Sequence, residues 1–447
     1  MIALRNILLP NNYSINKIIT IKGWINNCRI QTNISFISVN DGSTVENLQV
    51  VSEFTKEQKI EFSDLLNKIT KGASVEITGK LVESIGSNQS VELKATLDNI
   101  KVIGTIDPET YPIIKARVPL EYIRKYPEYK IRTNLGGVLA RIRNSCSFAT
   151  HNFFQKNLYC NVQTPLLTSN DCEGAGETFI VNNSNNTFFE DKVYLTVSGQ
   201  LHAETIALGL NKVYTFGPTF RAENSNTNRH LAEFWMVEPE ACFITYEELM
   251  TLSEKYIEYC LEYVLENNMK DVEFLDKFVS KGKLKELIRY RDKPFKRLSY
   301  TEAVDILVQN KEDVKWGDDL STAQEKLLTK LYGPVTVYDY PKDIKSFYMK
   351  QNENGKTVQA MDVLMPEIGE LIGGSMREEN YDKLKSNMEA KNLNDGSLDW
   401  YLNLRKNGTV PHGGFGMGFE RLIMLITGLP NIKDCIPYPR YPNHCLL

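Results

Sequence analysis

Five short strand-like runs crowd into residues 18–103, and they restrict the fold more than any other feature of the chain. They read IITIKGWINNCRI, SFISVNDGS, NLQVV, GASVEITGKLVES and VELKATLDNIKVIG. Asn40-Asp41-Gly42 is a strong hairpin signal, because glycine accepts positive φ at little steric cost. A helical stretch, TKEQKIEFSDLLNKITKG, separates the third run from the fourth. Five strands with a helix after the third predict a small Greek-key barrel of the OB type over residues 1–103. A β-sandwich module is the alternative open at this point.

The rest of the chain is organised differently. Residues 104–130 carry four prolines and little periodicity, as expected of a hinge. From Arg132 an amphipathic pattern runs to about Asn157, followed by an extended segment to Pro165. Residues 193–243 read as mostly strand, with a turn rich in Asn and Thr, and 246–292 as helix. Residues 266–345 are expected to include a peripheral or inserted segment. After Val358 extended segments return, and GFGMGFERLIMLITGL passes from a glycine-rich strand to an apolar helix that Gly428 can stop. Strands and helices mix without regular βαβ alternation, so the expected class is α+β. Residues 131–447 then form the larger domain.

Composition removes several classes of function. A net charge of −4 excludes a protein held to nucleic acid by bulk charge, though not local contacts. The eight cysteines include no CxxC pair, against a zinc ribbon or thioredoxin-type site. No stretch reaches the ~20 apolar residues that span a bilayer, and no secretory signal opens the chain, so a reducing cytoplasm is expected. Neither GxxxxGK[ST] nor a Rossmann GxGxxG occurs, so any nucleotide must be held by another device.

Three constellations carry chemistry. In VYTFGPTFRAENSNTNRHLAEFWMVEPE (213–240), period-2 spacing sets Arg221 with Glu223, and Phe234 with Met236, Glu238 and Glu240. An arginine fork suits phosphate or carboxylate, a carboxylate accepts an adenine amino proton, and a phenyl ring stacks on a base. A cross-strand ion pair and a core phenylalanine would produce the same residues. In HGGFGMGFERL (412–422), glycines let a ligand approach the backbone, and Arg421 falls in the first helical turn. A cation there is unfavourable unless an anion offsets it, and that anion is either a polyphosphate or a neighbouring acid. In DVLMPEIGELIGGSMR (362–377), Asp362, Glu367 and Glu370 precede a Gly-Gly-Ser turn and Arg377. Acids beside a phosphate site suit Mg²⁺, although an acidic strand edge reads the same way.

In this order the segments resemble the three signature motifs of the class II aminoacyl-tRNA synthetases. FRAE (220–223) with RHLAEF (229–234) is similar to motif 2, GFGMGFER (414–421) to motif 3, and the helix from Arg132 to motif 1. The barrel places the resemblance in the aspartyl, asparaginyl and lysyl subgroup. SNDCEGAGETF (169–179), SGQLHAE (198–204) and VPHGGFGMGFERL are nearest to its asparaginyl members. The likeness implies an OB-fold anticodon-binding domain, a catalytic domain built on an antiparallel sheet flanked by helices, and a homodimer formed through the motif 1 helix. It implies ATP and Mg²⁺, with Arg221 on the α-phosphate and the substrate carboxylate. Glu223 and Phe234 would hold adenine, His230 and Arg421 the outer phosphates, and Glu370, Ser375 and Asp362 the metal. Glu173, Ser198 and Gln200 would take the amino-acid ammonium, and Arg29, Phe36 and Gln49 the anticodon.

The amino acid is the finer question. The aspartyl branch has a lysine three residues after the glutamine of SGQLHAE, where this chain has Ala203. Without that cation a buried substrate carboxylate lacks a partner. An amide wants one donor and one acceptor, which Arg377 and Glu238 would supply. The resemblance therefore implies L-asparagine and tRNA(Asn). The alternative is an aspartyl enzyme that charges both tRNAs. An ammonia-dependent asparagine synthetase would lack the barrel, and a non-catalytic RNA-binding module would not need Arg221, Glu223, Glu370 and Arg421 together. The ending after Arg440 departs from the family's pattern and takes no role.

Overall fold

The computed structural model describes residues 3–8, 15–86, 89–113, 118–169, 177–182, 188–190, 192–393 and 395–447. They divide into two compact units, Met1–Ile142 with Met269–Phe274, and Arg143–Asn268 with Leu275–Leu447.

The first unit holds the barrel. Its strands are β1 (Ile18–Ile30), β2 (Ile34–Asn40), β3 (Leu48–Glu53), β4 (Ser74–Glu83), β5 (Val91–Lys94) and β6 (Ile100–Gly104). The length of β1 closes it: Ile18–Trp24 pairs antiparallel with β4, and Trp24–Ile30 with β2. Going on through β3 and β5 back to β4 gives a closed ring of five strands, with β6 added on the far side of β4. The fifth run expected from the sequence is thus two strands, broken by a 3₁₀ turn at Leu97–Asn99. Closure leaves few free edges, and Ile21, Ile25, Ile37, Val39, Leu48, Val50, Val75, Ile77 and Leu93 fill the interior. The expected helical interruption is a pair, α1 (Lys56–Glu61) and α2 (Ser63–Lys68), opened by a capping box at Thr55 and Gln58. The helix expected from Arg132 is α3 (Asn134–Lys156), which begins in this unit and ends in the second.

The second unit is built on an eight-stranded sheet. Its strands are β7 (Cys160–Asn161), β8 (Lys212–Phe220), β9 (Glu233–Cys242), β10 (Lys296–Ser299), β11 (Val335–Pro341), β12 (Thr357–Met365), β13 (Gly369–Met376) and β14 (His412–Gly418). They lie in the order β10-β11-β12-β13-β14-β9-β8-β7. The pairs from β11 across to β8 are all antiparallel; only the outer pairs β10–β11 and β7–β8 are parallel. Residues 266–345 supply both strands at one edge, β10 and β11, along with helices.

One reading of the sequence is corrected here. SGQLHAE lies at the head of a helix, α4 (Gln200–Leu210), inside the stretch read as strand. Leu201, Ala203, Glu204 and Ala207 bury one side of it, and six of the nine residues of QLHAETIAL (Gln, Glu, two Ala and two Leu) are good helix formers. The remaining helices that matter below are α5 (Tyr246–Asn267) and α6 (Phe419–Thr427), which Gly428 ends in the left-handed conformation.

Candidate active site

The sheet register builds the site. On β8 and β9, Thr219 faces Phe234, Gly217 faces Met236, Thr215 faces Glu238 and Val213 faces Glu240. Across β9, Met236 faces Gly418 and Glu240 faces Gly414. Gly416 faces Gly373 and Gly414 faces Ser375 on β13; Gly373 in turn faces Asp362 on β12. Opposed residues share a face, so one side of the sheet carries Phe234, Met236, Glu238, Glu240, Asp362 and Ser375 around a patch of glycine. That patch has no side chains of its own to exclude a ligand.

Arg221, Glu223, His230, Phe234, Glu370 and Arg421, the six residues assigned to ATP from the sequence, all line one cavity of about 150 Å³. Arg221 and Glu223 get there differently from the expected strand alternation. β8 stops at Phe220, and both residues stand in the connection that follows, where the Arg221 backbone N–H donates to the Ala232 carbonyl. The Arg221 guanidinium lies 5.4 Å from the centre of the Phe234 ring. His230 Nε2 is 3.5 Å from Glu223 Oε2. Arg421 Nη1 donates to the Glu370 carbonyl (2.8 Å) and to Glu370 Oε2 (3.2 Å), which offsets a cation placed in the first turn of α6.

A cluster of carboxylates borders the cavity. Burial opposes ionisation of Glu370, but Arg421 and then Lys345 outweigh it and hold its carboxyl below the usual range. Burial also pushes up Asp362, although Lys345 Nζ sits 2.7 Å from it. Glu325, which accepts from the Glu370 N–H at 3.2 Å, is raised to about 7 by burial and by the charge of Glu370. Among the described residues, no group of three or more His, Cys, Asp or Glu side chains is arranged to hold a metal. Ser375, assigned to the metal from the sequence, is fully buried and accepts from Arg377 Nη1 at 2.8 Å.

The described residues assigned to the amino acid gather at the head of α4, with Glu238 two places along β9 from Met236, which lines the cavity. Ser198 Oγ donates to one oxygen of the Glu238 carboxylate, and the Gly199 N–H donates to the other at 3.0 Å. Ser198 Oγ also accepts from the Gln200 N–H at 3.1 Å. Glu238 thus takes two donors from the segment just ahead of α4, and a carboxylate has acceptor capacity beyond two. Arg377 is 2 % exposed and forks onto Glu240 through Nε (3.3 Å) and Nη2. Glu173 lies outside the described residues.

In the barrel, Arg29 faces Phe36 across β1 and β2, and Ser38 faces Gln49 across β2 and β3. Buried Ser35, Ile37, Leu48 and Val50 alternate with them, so Arg29, Phe36 and Gln49 share the outer face. Phe36 is half-buried there, not a residue of the barrel core.

Sequence reasoning passed over Arg229, which lines the cavity, as well as Glu325, Lys345 and Glu204. The signals were faint: Arg229 precedes His230, and Glu204 closes the SGQLHAE motif.

The family model described as tRNA synthetases class II (D, K and N) matches residues 121–442, and the one described as OB-fold nucleic acid binding domain matches 19–103. The chain is 45% identical over 454 residues to the asparagine--tRNA ligase of Borreliella burgdorferi, with 97% of each chain covered. It is 48% identical over 435 residues to that of Desulfotalea psychrophila, with 96% of each covered. Among solved structures, asparaginyl-tRNA synthetase from Pyrococcus horikoshii complexed with asparaginyl-adenylate superposes with a TM-score of 0.87 at 31% identity, covering 96% of both chains. Aspartyl-tRNA synthetase from Entamoeba histolytica shares the fold, with a TM-score of 0.79 at 22% identity over 97% of this chain and 90% of its own.

Proposed function

The chain belongs to the class II tRNA synthetases of the D, K and N group, and from that premise we propose that it joins L-asparagine to tRNA(Asn) at the expense of ATP. The asparagine carboxylate attacks the α-phosphorus, and the bond to the β-phosphate breaks, giving asparaginyl-adenylate and diphosphate. A hydroxyl of the terminal ribose of the tRNA then attacks the acyl carbon, and AMP leaves. Neither step needs a protein nucleophile; both need in-line placement and neutralised charge.

The observation that carries this reading is the gathering of the six ATP-assigned residues in one cavity beside a glycine floor. Adenine lies against Phe234, with its amino group donating to Glu223. Arg221 neutralises the α-phosphate as the carboxylate arrives, and His230 and Arg421 hold the departing phosphates. Mg²⁺ fits the chemistry of Glu370 and Asp362, which flank Gly373, and it prefers carboxylate with phosphate oxygens. Bound there, with Ser375 as a further oxygen, it would neutralise phosphate charge.

Asparagine is favoured over aspartate by the charge beside Ser198. Glu204, Glu238 and Glu240 already crowd that corner, and the position of a compensating lysine is Ala203, fully buried. A further carboxylate would be repelled there, whereas an amide can donate to Glu238 and accept from Arg377. ATP–diphosphate exchange across the amino acids tests this: asparagine should support exchange at least ~10⁴-fold better than aspartate in kcat/KM. Comparable exchange with aspartate would favour the enzyme that charges both tRNAs.

The barrel face reads the anticodon through Phe36, Arg29 and Gln49. Stacking is worth about 1–3 kcal/mol per base, so Phe36→Ala is expected to weaken aminoacylation roughly 5- to 150-fold. Exchange, which needs no tRNA, should be unchanged; equal loss in both assays would contradict the assignment. The homodimer forms through α3, whose Phe148 is exposed. Among the described residues, no helix is long and apolar enough to cross a membrane, and we assign the enzyme to the cytoplasm.

A further inference from the structure

Below the amino-acid residues lies a knot of buried charge whose central residue is assigned no contact with the substrate. Its centre is Glu204, on the first turns of α4 and fully buried. One oxygen accepts from Gln200 Nε2 (3.1 Å), and the other from Arg405 Nη2 (3.1 Å) and the Tyr401 hydroxyl (2.7 Å). His412 Nε2 stands 3.1 Å from that second oxygen, and Arg377 Nε 3.8 Å from the first. Tyr401 and His412 are fully buried, and Arg405 nearly so. Two of these partners, Gln200 and Arg377, are the residues assigned to the substrate's ammonium and side-chain carbonyl.

We infer that Glu204 determines specificity for a neutral amide side chain: it orients Gln200 and Arg377 and supplies the negative charge that cancels the cations beneath the amino-acid pocket. The inference rests on the asparagine reading and deepens it.

The guanidiniums of Arg377 and Arg405 face two buried carboxylates, Glu204 and Glu240, with His412 at the same oxygen of Glu204 as Arg405. Glu238 stands at the same corner, where the charges of Arg221 and Arg377 act on it. Burial pushes the Glu240 carboxyl up to about 7 despite Arg377 beside it; with both Glu204 and Glu240 ionised, Arg377 has no surplus positive charge to offer, only hydrogen-bond donors. Burial opposes the ionisation of Glu204 as well, but His412, Arg405 and Arg377 outweigh it and hold the carboxyl well below its usual range. If Glu204 lost its charge while keeping its shape, the corner would gain one net positive charge. A substrate carboxylate would then be attracted where an amide had been preferred. Charge acts over several ångströms in a site this dry, so the residue need not touch the substrate. It is a positioning residue.

The test compares E204Q, which keeps shape and removes charge, with E204D, which keeps charge and changes shape. The readouts are kcat/KM for asparagine-dependent exchange and the inhibition constant of L-aspartate as a competitor. E204Q should move the ratio of the two constants by about tenfold or more toward aspartate. E204D should leave the ratio unchanged, even where its rate falls. Arg405→Met removes a cation and should move the ratio the opposite way, which decides the matter if E204Q does not fold. A purely structural knot would weaken asparagine and aspartate equally in every variant, and that result would overturn the inference. Wild-type protein that exchanges with aspartate but not asparagine would instead overturn the asparagine reading, so the two failures are distinct.

Discussion

Arg421→Ala is expected to lower kcat/KM for asparagine-dependent ATP–diphosphate exchange by about 10³-fold or more, the range found when a single charged or donor group on a transferring phosphoryl or oxyanion is removed. The geometry gives the reason. Arg421 lines the cavity proposed for ATP from the first turn of α6, a position where a cation has no intrinsic advantage. Its contacts with Glu370 hold the side chain in place without enclosing it. The fold should survive, because α6 is anchored by Leu422, Ile423, Leu425 and Ile426, all buried. Circular dichroism and thermal denaturation should therefore match wild type while exchange is lost. Arg421→Lys keeps the charge but loses the fork, and an intermediate rate is expected. Near-normal exchange by the alanine variant would remove Arg421 from the mechanism.

Gly414→Ala is the second large effect. A Cβ at Gly414 would stand 2.2 Å from the Pro239 carbonyl oxygen and 2.4 Å from the Glu240 carboxyl carbon. The first is backbone of a central strand, and the second is tied to Arg377, so neither can move aside freely. Overpacking of this kind costs about 3 kcal/mol. For a domain this large, at roughly 2–4 °C per kcal/mol, the midpoint of unfolding should fall by roughly 6–12 °C. Exchange should fall too, since the strands that must part carry Glu238, Glu240 and Ser375. Gly217→Ala is the control: nothing lies within 4 Å of its Cβ position. Its stability should stay within about 1 kcal/mol of wild type. Similar behaviour of the two variants in thermal denaturation would refute the argument that the floor must be bare at Gly414.

Much of the fold was legible because its signals are local. The barrel strands and the capping box at Thr55 follow from composition and spacing within about ten residues, as does the strand-to-helix passage at Gly418. The reading failed where two local signals compete. QLHAETIAL lies among strand-like segments yet is a helix, because its buried side repeats with helical spacing. In the fifth barrel run, ATLDN turns a continuous apolar pattern into two strands. The face of the barrel taken by Phe36 could not be settled from an apolar residue in a strand. It required the register that sets Phe36 opposite Arg29 and leaves Ile37 inside.

The same division holds for the site. The sequence alone determined which side chains are proposed for the chemistry, because Arg221, Glu223, His230, Phe234 and Arg421 stand in short windows whose spacing and residue types limit their use. Only the tertiary structure decided how the charges of those windows cancel. Glu204 meets Arg377, Arg405 and His412, and Arg377 meets Glu240, across separations of 137 to 208 residues. Period-2 and helical spacing carry no information over such distances. Whether a buried carboxylate is a liability or a fixed counter-charge depends on which cations the fold brings to it.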